Sequence, residues 1–266
     1  MNSSKWTAAK IRALKGNGKV VCLTAYDFAT ARLVDESGIH LILVGDSLAM
    51  TVLGYKSTLP VTMAEMLHHV AAVARGTQNA LVVADMPFMS YQVSVEQAVA
   101  NAGRFIKEAG ADAVKIEGGA GRAPLIRTLV DNGIPVMGHI GLTPQSIKAT
   151  GGYKVQGRKA GEAGRLRKDA KALAAAGVFS LVVECVPRAL GAALTRSVRV
   201  PTIGIGAGPE CDGQILVSHD LLGLYAGHTP RFAKRYTDLG AAMQRAFEAY
   251  RREVVSGDFP AKEHCY

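Results

Sequence analysis

Short apolar runs alternate with longer stretches of helical periodicity along this chain of 266 residues. The short runs are apolar almost throughout, which is typical of strands buried on both faces of a parallel sheet. We predict eight such strands, at residues 20–26, 41–46, 81–85, 113–117, 135–139, 180–184, 201–206 and 214–217. Ala- and Leu-rich segments between them repeat with the helical period, at residues 61–75, 95–109, 121–132 and 162–176.

Eight strands separated by helices predict an α/β fold, a (β/α)8 TIM barrel, in one catalytic domain over residues 1–266. An extra N-terminal helix is predicted at Lys5–Leu14, covering the barrel floor, and a last helix at Arg231–Val255. Only Ala207–Gly213 separates the seventh and eighth strands, which is too short for a crossover helix. Either that helix is reduced to a turn or the eighth strand lies elsewhere.

The amino-acid composition indicates the class of protein and its location in the cell. Hydrophobic residues make up 48% of the chain, enough for one large core. The longest apolar run, Ala172–Val183, is too short to span a bilayer, and the first residues lead into no apolar secretory segment. The four cysteines show no spacing typical of a disulfide framework or zinc site. We therefore expect a cytoplasmic protein that does not contact a membrane.

Ionisable residues end five of the predicted strands. They are Asp46, Asp85, the pair Lys115 and Glu117, His139, and Glu184. All strands of a parallel barrel end on one face, so these side chains are expected to converge there. Carboxylates held together need a counter-ion. Oxygen ligands from Asp46, Asp85 and Glu117 favour Mg²⁺, and Glu184 is then a candidate general base.

Each of these residues also has a plainer interpretation. A single Asp after a strand caps the next helix about as often as it binds a ligand. His139 is equally compatible with the pocket and with a satisfied position in the core. The run Gly204–Gly208 favours close backbone approach at the rim of the site over phosphate binding, because no complete phosphate-loop motif is present.

The net charge of +9 is concentrated in one stretch. Residues 148–171 hold eight basic residues against Glu162 and Asp169, a local excess of +6. Such a stretch is either a solvated surface or an attractor for anions. Nucleic-acid binding predicts aromatic residues among the basic ones, and only Tyr153 lies there. We therefore expect no nucleic-acid partner.

A series of ordered motifs runs over almost the whole chain, at residues 26–27, 43–48, 84–88, 113–119, 138–145, 184–187, 204–208, 211–214 and 259–264. Together these motifs resemble the ketopantoate hydroxymethyltransferase family. The departures are small: Ala49 replaces a frequent Gly, and His40 stands where an acidic residue is common.

The resemblance implies a (β/α)8 barrel that transfers a hydroxymethyl group from 5,10-methylenetetrahydrofolate to 3-methyl-2-oxobutanoate. The product, 2-dehydropantoate, feeds pantothenate and coenzyme A synthesis. By similarity, Asp46, Asp85 and Glu117 hold the metal, Asp46, Ser47, Asp85 and Lys115 bind the keto acid, and Glu184 is the catalytic base. The family further implies a cytoplasmic homo-oligomer, typically a decamer. The basic stretch after the fifth strand is hypothesised to meet the glutamate tail of the folate.

The runner-up is a Mg²⁺-dependent carbon–carbon lyase of the phosphoenolpyruvate and isocitrate lyase type. Those enzymes resemble this chain in their barrel and in their 2-oxo-acid chemistry. Their reactive loop cysteine, in a Lys-Lys-Cys-Gly type of motif, is missing from this sequence.

Overall fold

The computed structural model describes residues 5–224, 227 and 230–266, and the chain divides into two compact units, Met1–Val217 and Ser218–Tyr266. In the first unit, eight parallel strands close into a barrel in sequence order. This confirms the predicted α/β fold, a (β/α)8 TIM barrel. The strands are β1 Val20–Thr24, β2 Leu41–Val44, β3 Leu81–Asp85, β4 Ala113–Glu117, β5 Val136–Gly141, β6 Ser180–Glu184, β7 Thr202–Ile205 and β8 Gly213–Leu216.

Helices surround the strands and follow the predicted periodicity closely. Thr62 begins one of them with a capping box, in which its hydroxyl accepts from the N–H of Glu65 and the Glu65 carboxylate accepts from the N–H of Thr62. The helices of this unit are α1 Ala8–Ala13, α2 Phe28–Glu36, α3 Leu48–Thr51, α4 Met63–Gly76, α5 Val95–Lys107, α6 Ala123–Asp131, α7 Ile147–Thr150, α8 Ala160–Ala176 and α9 Arg188–Ser197, with short 3-10 helices at Ala120–Arg122 and Pro144–Ser146.

The extra N-terminal helix is present but shorter than predicted, because the Thr7 hydroxyl caps it by accepting from the N–H of Lys10. Its Ile11 is fully buried against the apolar residues of the barrel interior, with Trp6 and Leu14 packed beside it. The helix therefore covers the floor of the barrel, as predicted.

The connection between β7 and β8 is a turn without a helix. Of the two alternatives that the sequence left open, the helix reduced to a turn is therefore the correct one. The pairing of Val20 with Gly213 then closes the barrel. At Gly213 a side chain would collide with the carbonyl oxygen of Val20, so only glycine allows this approach of β8 to β1.

The second unit contains α10 Ser218–Leu222, α11 Leu239–Ser256 and a 3-10 helix at Lys262–His264. The predicted helix Arg231–Val255 was too long at its start. Asp238 caps α11 by accepting from the N–H of Ala241, and the segment before it is not helical. The assignment of residues 1–266 to one catalytic domain stays a prediction. In the described part of the chain, no helix has the length and apolar character needed to cross a bilayer.

The barrel interior changes character along its axis. Side chains alternate between the two faces of a strand, so every second residue points inward. The inward residues nearer the floor are apolar and buried: Val20, Cys22, Leu41, Leu43, Leu81, Val83, Ala113, Met137, Val182, Ile203 and Ile215. The same alternation places Asp85, Lys115, Glu117, His139 and Glu184 inward at the other end. Packing fills the lower barrel, and the upper layer is ionisable.

Candidate active site

The ends of β3 and β4 join the predicted residues Asp85 and Lys115 in a buried ion pair. The Lys115 Nζ donates to both oxygens of Asp85 at 2.7 Å and lies 3.6 Å from Glu117 Oε1. Strand register explains the contact, because Asp85 and Lys115 are direct partners in the sheet. Burial disfavours the ammonium, but the surrounding carboxylates raise the pKa of Lys115 above its usual value. Lys115 is therefore a permanent cation in the site.

Asp46 follows β2 and reaches the same cluster. Its backbone N–H donates to Asp85 Oδ2 at 3.2 Å, and its own Oδ2 accepts from Gln145 Nε2 at 3.0 Å. Burial raises the pKa of Asp46 well above the usual range, and the negative charges of Asp85 and Glu117 raise it further. One lysine thus leaves Asp46, Asp85 and Glu117 with an excess of negative charge.

His139 lies between two carboxylates at the end of β5. Its Nδ1 is 3.4 Å from Glu117 Oε1, and its Nε2 is 3.2 Å from Glu184 Oε2. Both contacts lie within ion-pair distance, but neither has the geometry of a hydrogen bond. Burial and Lys115 lower the pKa of His139, but the two carboxylates outweigh them and raise it to about 9. The imidazole is therefore charged at neutral pH, and it belongs to the ionisable layer rather than to the apolar core.

Glu184 is the most accessible carboxylate of the cluster. Its side chain is 14% exposed, against 2% for Asp85 and for Glu117. Gly141 lets β5 pass close beside it: this residue has a φ of +96°, and a side chain there would collide with the Glu184 carbonyl oxygen. Glu184 is thus placed where a substrate in the barrel mouth can meet it.

Ser47 lies beside Asp46 at the start of α3. Its hydroxyl shares a 2.8 Å hydrogen bond with the hydroxyl of the buried Tyr26, which comes from the loop after β1. The Cβ of any residue but glycine at position 45 would stand 2.8 Å from Ser47 Oγ. Asp46, Ser47, Asp85, Lys115, Glu117, His139 and Glu184 are therefore all brought to one end of the barrel.

Sequence reasoning gave no role to two residues that complete the cluster. Gln145, in the 3-10 helix after β5, bonds with Asp46 through its side chain and with Glu117 through its backbone N–H. Tyr91, in the loop after β3, donates to Gln145 Oε1 at 2.6 Å. The signal for Gln145 was its place at the end of the family-like segment 138–145, soon after the strand that carries His139.

The donor set suits a hard divalent cation. All candidate ligands are carboxylate oxygens, the charge is in excess, and the buried Glu117 Oε1 has no hydrogen-bond donor. Among the described residues, however, no group of three or more His, Cys, Asp or Glu side chains is arranged to hold a metal ion. Mg²⁺ commonly binds through one or two carboxylates and keeps its other positions for water and substrate. Coordination of a metal ion by Asp46, Asp85 and Glu117 stays a prediction.

The basic stretch divides into two parts. Lys154, Arg158 and Lys159 lie exposed in the loop between α7 and α8, on the same end of the barrel as the carboxylates, whereas Arg165 to Lys171 belong to α8. Tyr153 of this loop donates to Met50 Sδ at 3.6 Å, which links it to α3. Binding of a folate glutamate tail by this stretch stays a prediction.

Comparison with known proteins now decides the family. The sequence profile of the family Ketopantoate hydroxymethyltransferase matches residues 5–262. The chain belongs to the ketopantoate hydroxymethyltransferase family. It is 56% identical over 263 residues to the 3-methyl-2-oxobutanoate hydroxymethyltransferase of Clostridium novyi, covering 98% of this chain and 96% of the relative. The relative of the same name from Syntrophobacter fumaroxidans is 57% identical, over 97% of this chain and 92% of its own. The chain is thus an enzyme of this family, as the motifs predicted.

Solved structures with the same fold come from a wider group. A phosphonopyruvate hydrolase superposes with a TM-score of 0.65 at 14% identity, covering 97% of this chain and 93% of the other. A 2,3-dimethylmalate lyase, a member of the phosphoenolpyruvate mutase and isocitrate lyase superfamily, gives 0.63 at 18% identity, covering 92% and 87%. At such identities the similarity concerns the barrel alone. The family's own relatives, at more than half identity, favour the transferase over the lyase alternative.

Proposed function

We propose that this enzyme transfers a hydroxymethyl group from 5,10-methylenetetrahydrofolate to 3-methyl-2-oxobutanoate, forming 2-dehydropantoate for pantothenate and coenzyme A synthesis in the cytoplasm. The family relatives support the transferase activity. The observation that carries the chemistry is the position of Glu184, an accessible carboxylate at the edge of a buried cluster of Asp46, Asp85, Lys115 and Glu117.

The reaction requires a carbanion at carbon 3 of the keto acid. That carbon loses a proton readily only if the electron pair moves into the neighbouring ketone. Asp46 and Asp85, with Glu117 close by, would hold a divalent cation such as Mg²⁺, which would supply Lewis-acid stabilisation of the charge that develops on the ketone. Lys115 places a fixed positive charge beside the same pocket, facing the substrate carboxylate. Asp46, Ser47, Asp85 and Lys115 together orient the keto acid.

Glu184 is the proposed base. Its Oε takes the carbon-3 proton, and the C–H electron pair moves into the ketone. Water cleaves both C–N bonds of the folate methylene group, which leaves tetrahydrofolate and a one-carbon unit at the oxidation level of formaldehyde. Carbon 3 forms the new bond to that carbon, and its oxygen, which comes from water, takes the proton back from Glu184 to give the hydroxymethyl group. The protonated His139 at 3.2 Å fixes the Glu184 carboxylate on one side. Glu184 lies beside His139 and is 14% exposed, so a substrate can reach its carboxylate, which suits a general base.

The direct test is turnover of 3-methyl-2-oxobutanoate with and without methylenetetrahydrofolate and with and without Mg²⁺. We expect 2-dehydropantoate only when all components are present. Cleavage of a carbon–carbon bond in a 2-hydroxy diacid without folate would favour the lyase alternative instead.

We also propose that the protein is a homo-oligomer, a decamer by family resemblance. Supporting this, α11 carries an apolar stripe at helical spacing, formed by Met243, Phe247, Tyr250 and Val254. Phe247 is 64% exposed and Tyr250 is 59% exposed, which is unusual for such large apolar side chains on one helix face. A light-scattering mass several times the 28.0 kDa of one chain is expected at micromolar concentration, and a monomer mass would refute the proposal.

A further inference from the structure

Gln145 is the residue that contacts the largest number of site elements without being a candidate ligand itself. Its side-chain Nε2 donates to Asp46 Oδ2 at 3.0 Å and to the Met86 carbonyl at 2.9 Å. Its backbone N–H donates to Glu117 Oε2 at 3.1 Å. These contacts join the ends of β2, β3 and β4 to the loop after β5. Gln145 is buried, so all of them are made away from bulk water.

The orientation of the Gln145 amide is determined by its partners. Both hydrogens of Nε2 are used, one on the Asp46 carboxyl group and one on the Met86 carbonyl oxygen, which can only accept. The Oε1 accepts from the Tyr91 hydroxyl at 2.6 Å. Arg122 lies over the Tyr91 ring, 5.4 Å from its centroid, and holds that side chain from behind. A rotated amide would place its oxygen against Asp46.

The contacts of Gln145 divide the carboxylate oxygens into two sets. Asp46 Oδ2 and Glu117 Oε2 are occupied by Gln145. Glu117 Oε1 is buried and receives no hydrogen bond. Asp46 Oδ1 and Glu117 Oε1 are therefore the oxygens that Gln145 leaves for an added ligand, and at Glu117 Oε1 that ligand would join Lys115 Nζ at 3.6 Å and His139 Nδ1 at 3.4 Å.

We propose that Gln145 is a positioning residue that selects which oxygens of Asp46 and Glu117 face a divalent cation. This inference rests on the proposed function, because it concerns the metal site of that reaction. A neutral amide fits this role, since it donates hydrogen bonds to the carboxylates without neutralising the charge that attracts the cation. A lysine or arginine at this position would compete with the metal for the same oxygens.

The test compares three variants with the wild type. Gln145→Met keeps the side-chain length and the backbone N–H but removes the amide. Tyr91→Phe keeps the ring and removes only the hydroxyl that orients the amide. Gln156→Met is the matched control, because Gln156 lies in the loop between α7 and α8 and its side-chain amide donates to the nearby Lys154 carbonyl and to none of the candidate site residues. Binding of Mn²⁺ is followed by electron paramagnetic resonance with saturating 3-methyl-2-oxobutanoate, and thermal unfolding is recorded without metal.

We expect Gln145→Met to weaken Mn²⁺ binding by about 10–100-fold, as is usual when a partner of a metal ligand is lost. The KM for Mg²⁺ should rise by a similar factor, and saturating Mg²⁺ should restore most of kcat. Tyr91→Phe should weaken binding by about 2–10-fold, the effect of one neutral hydrogen bond. Gln156→Met should match the wild type. If Gln145 has a purely structural role, Gln145→Met should lower the melting temperature and kcat and leave the metal affinity unchanged.

The outcomes separate this inference from the proposed function. If the wild type binds no Mn²⁺, the metal site and the inference are both overturned. If the wild type binds Mn²⁺ and Gln145→Met binds it within twofold, only the inference is overturned. Should Gln145→Met fail to fold, unchanged Mn²⁺ affinity in Tyr91→Phe would overturn the inference.

Discussion

The two ends of the barrel interior are built from the same strands but differ in chemical character. In β4, Ala113 faces inward near the floor, and Lys115 and Glu117 face inward above it. In β5, Met137 lies below His139. The lower residues gain stability by leaving water, whereas the upper ones are charged groups that burial destabilises. The upper layer persists because the closed lower barrel holds its strands in register. This contrast indicates that fold stability and chemistry are separated along one axis.

Removing a carboxylate from the upper layer should give the largest change in activity. We expect Asp46→Ala or Asp85→Ala to abolish Mg²⁺-dependent turnover, because each removes a proposed ligand. The fold of Asp46→Ala should persist, since loss of one buried like charge relieves repulsion in the cluster. Asp85→Ala should fold with a lower melting temperature, because it leaves the buried Lys115 without its ion-pair partner. Turnover at limiting Mg²⁺ checks the loss of activity, and circular dichroism checks whether the fold persists. Wild-type rate in either variant would show that the ligand assignment is wrong.

Replacing the proposed base Glu184 should leave substrate binding nearly unchanged and strongly reduce removal of the carbon-3 proton. In deuterium oxide with Mg²⁺ and no folate, we expect the enzyme to exchange the carbon-3 hydrogen of 3-methyl-2-oxobutanoate. Glu184→Gln keeps the size but loses basicity, so exchange should fall by about 10²–10⁴-fold. Proton NMR of the carbon-3 signal measures it. Undiminished exchange would move the base elsewhere, and His139 would be the next candidate.

A change in the lower layer should show the reverse pattern. Met137 is fully buried, and Met137→Ala should reduce the free energy of unfolding by about 2–5 kcal/mol through the lost contacts and the remaining cavity. Activity per folded molecule should fall less than stability, because Met137 belongs to the apolar layer and acts on the site only as the sheet partner of Lys115. Denaturant unfolding and active-site titration distinguish the two effects. A loss of kcat without a loss of stability would contradict the separation along the barrel axis.

The smallest expected effect is a pH dependence of stability that originates in the upper layer. The pKa of His139 is raised from 6.5 to about 9 in the folded protein. Its charge therefore stabilises the fold fully below pH 6.5, and this contribution is lost as the pH rises through 9. We expect the melting temperature of the wild type to fall between about pH 7 and 10. His139→Gln should show a flatter profile over that range, and equal slopes would refute the ion pairs of His139.

The sequence alone determined most of the fold and the membership of the site. Strand positions follow from local apolar runs, and parallel strands of a barrel all end on one face, so the convergence of Asp46, Asp85, Lys115, Glu117, His139 and Glu184 was predictable. It also indicated the N-terminal helix and the missing crossover before β8. The start of α11 at Leu239 was missed, because the capping bond of Asp238 depends on a local turn that periodicity does not show.

Only the tertiary structure decided how the charged groups pair. Lys115 contacts Asp85 rather than Asp46 because of sheet register, and His139 lies between Glu117 and Glu184 because β4, β5 and β6 are neighbours in the closed barrel. The roles of Gln145 and Tyr91 were hidden for the same reason. Both come from loops, where no periodicity relates a residue to its neighbours in space. Contacts between such residues depend on the path of the whole chain, which a local sequence pattern does not specify.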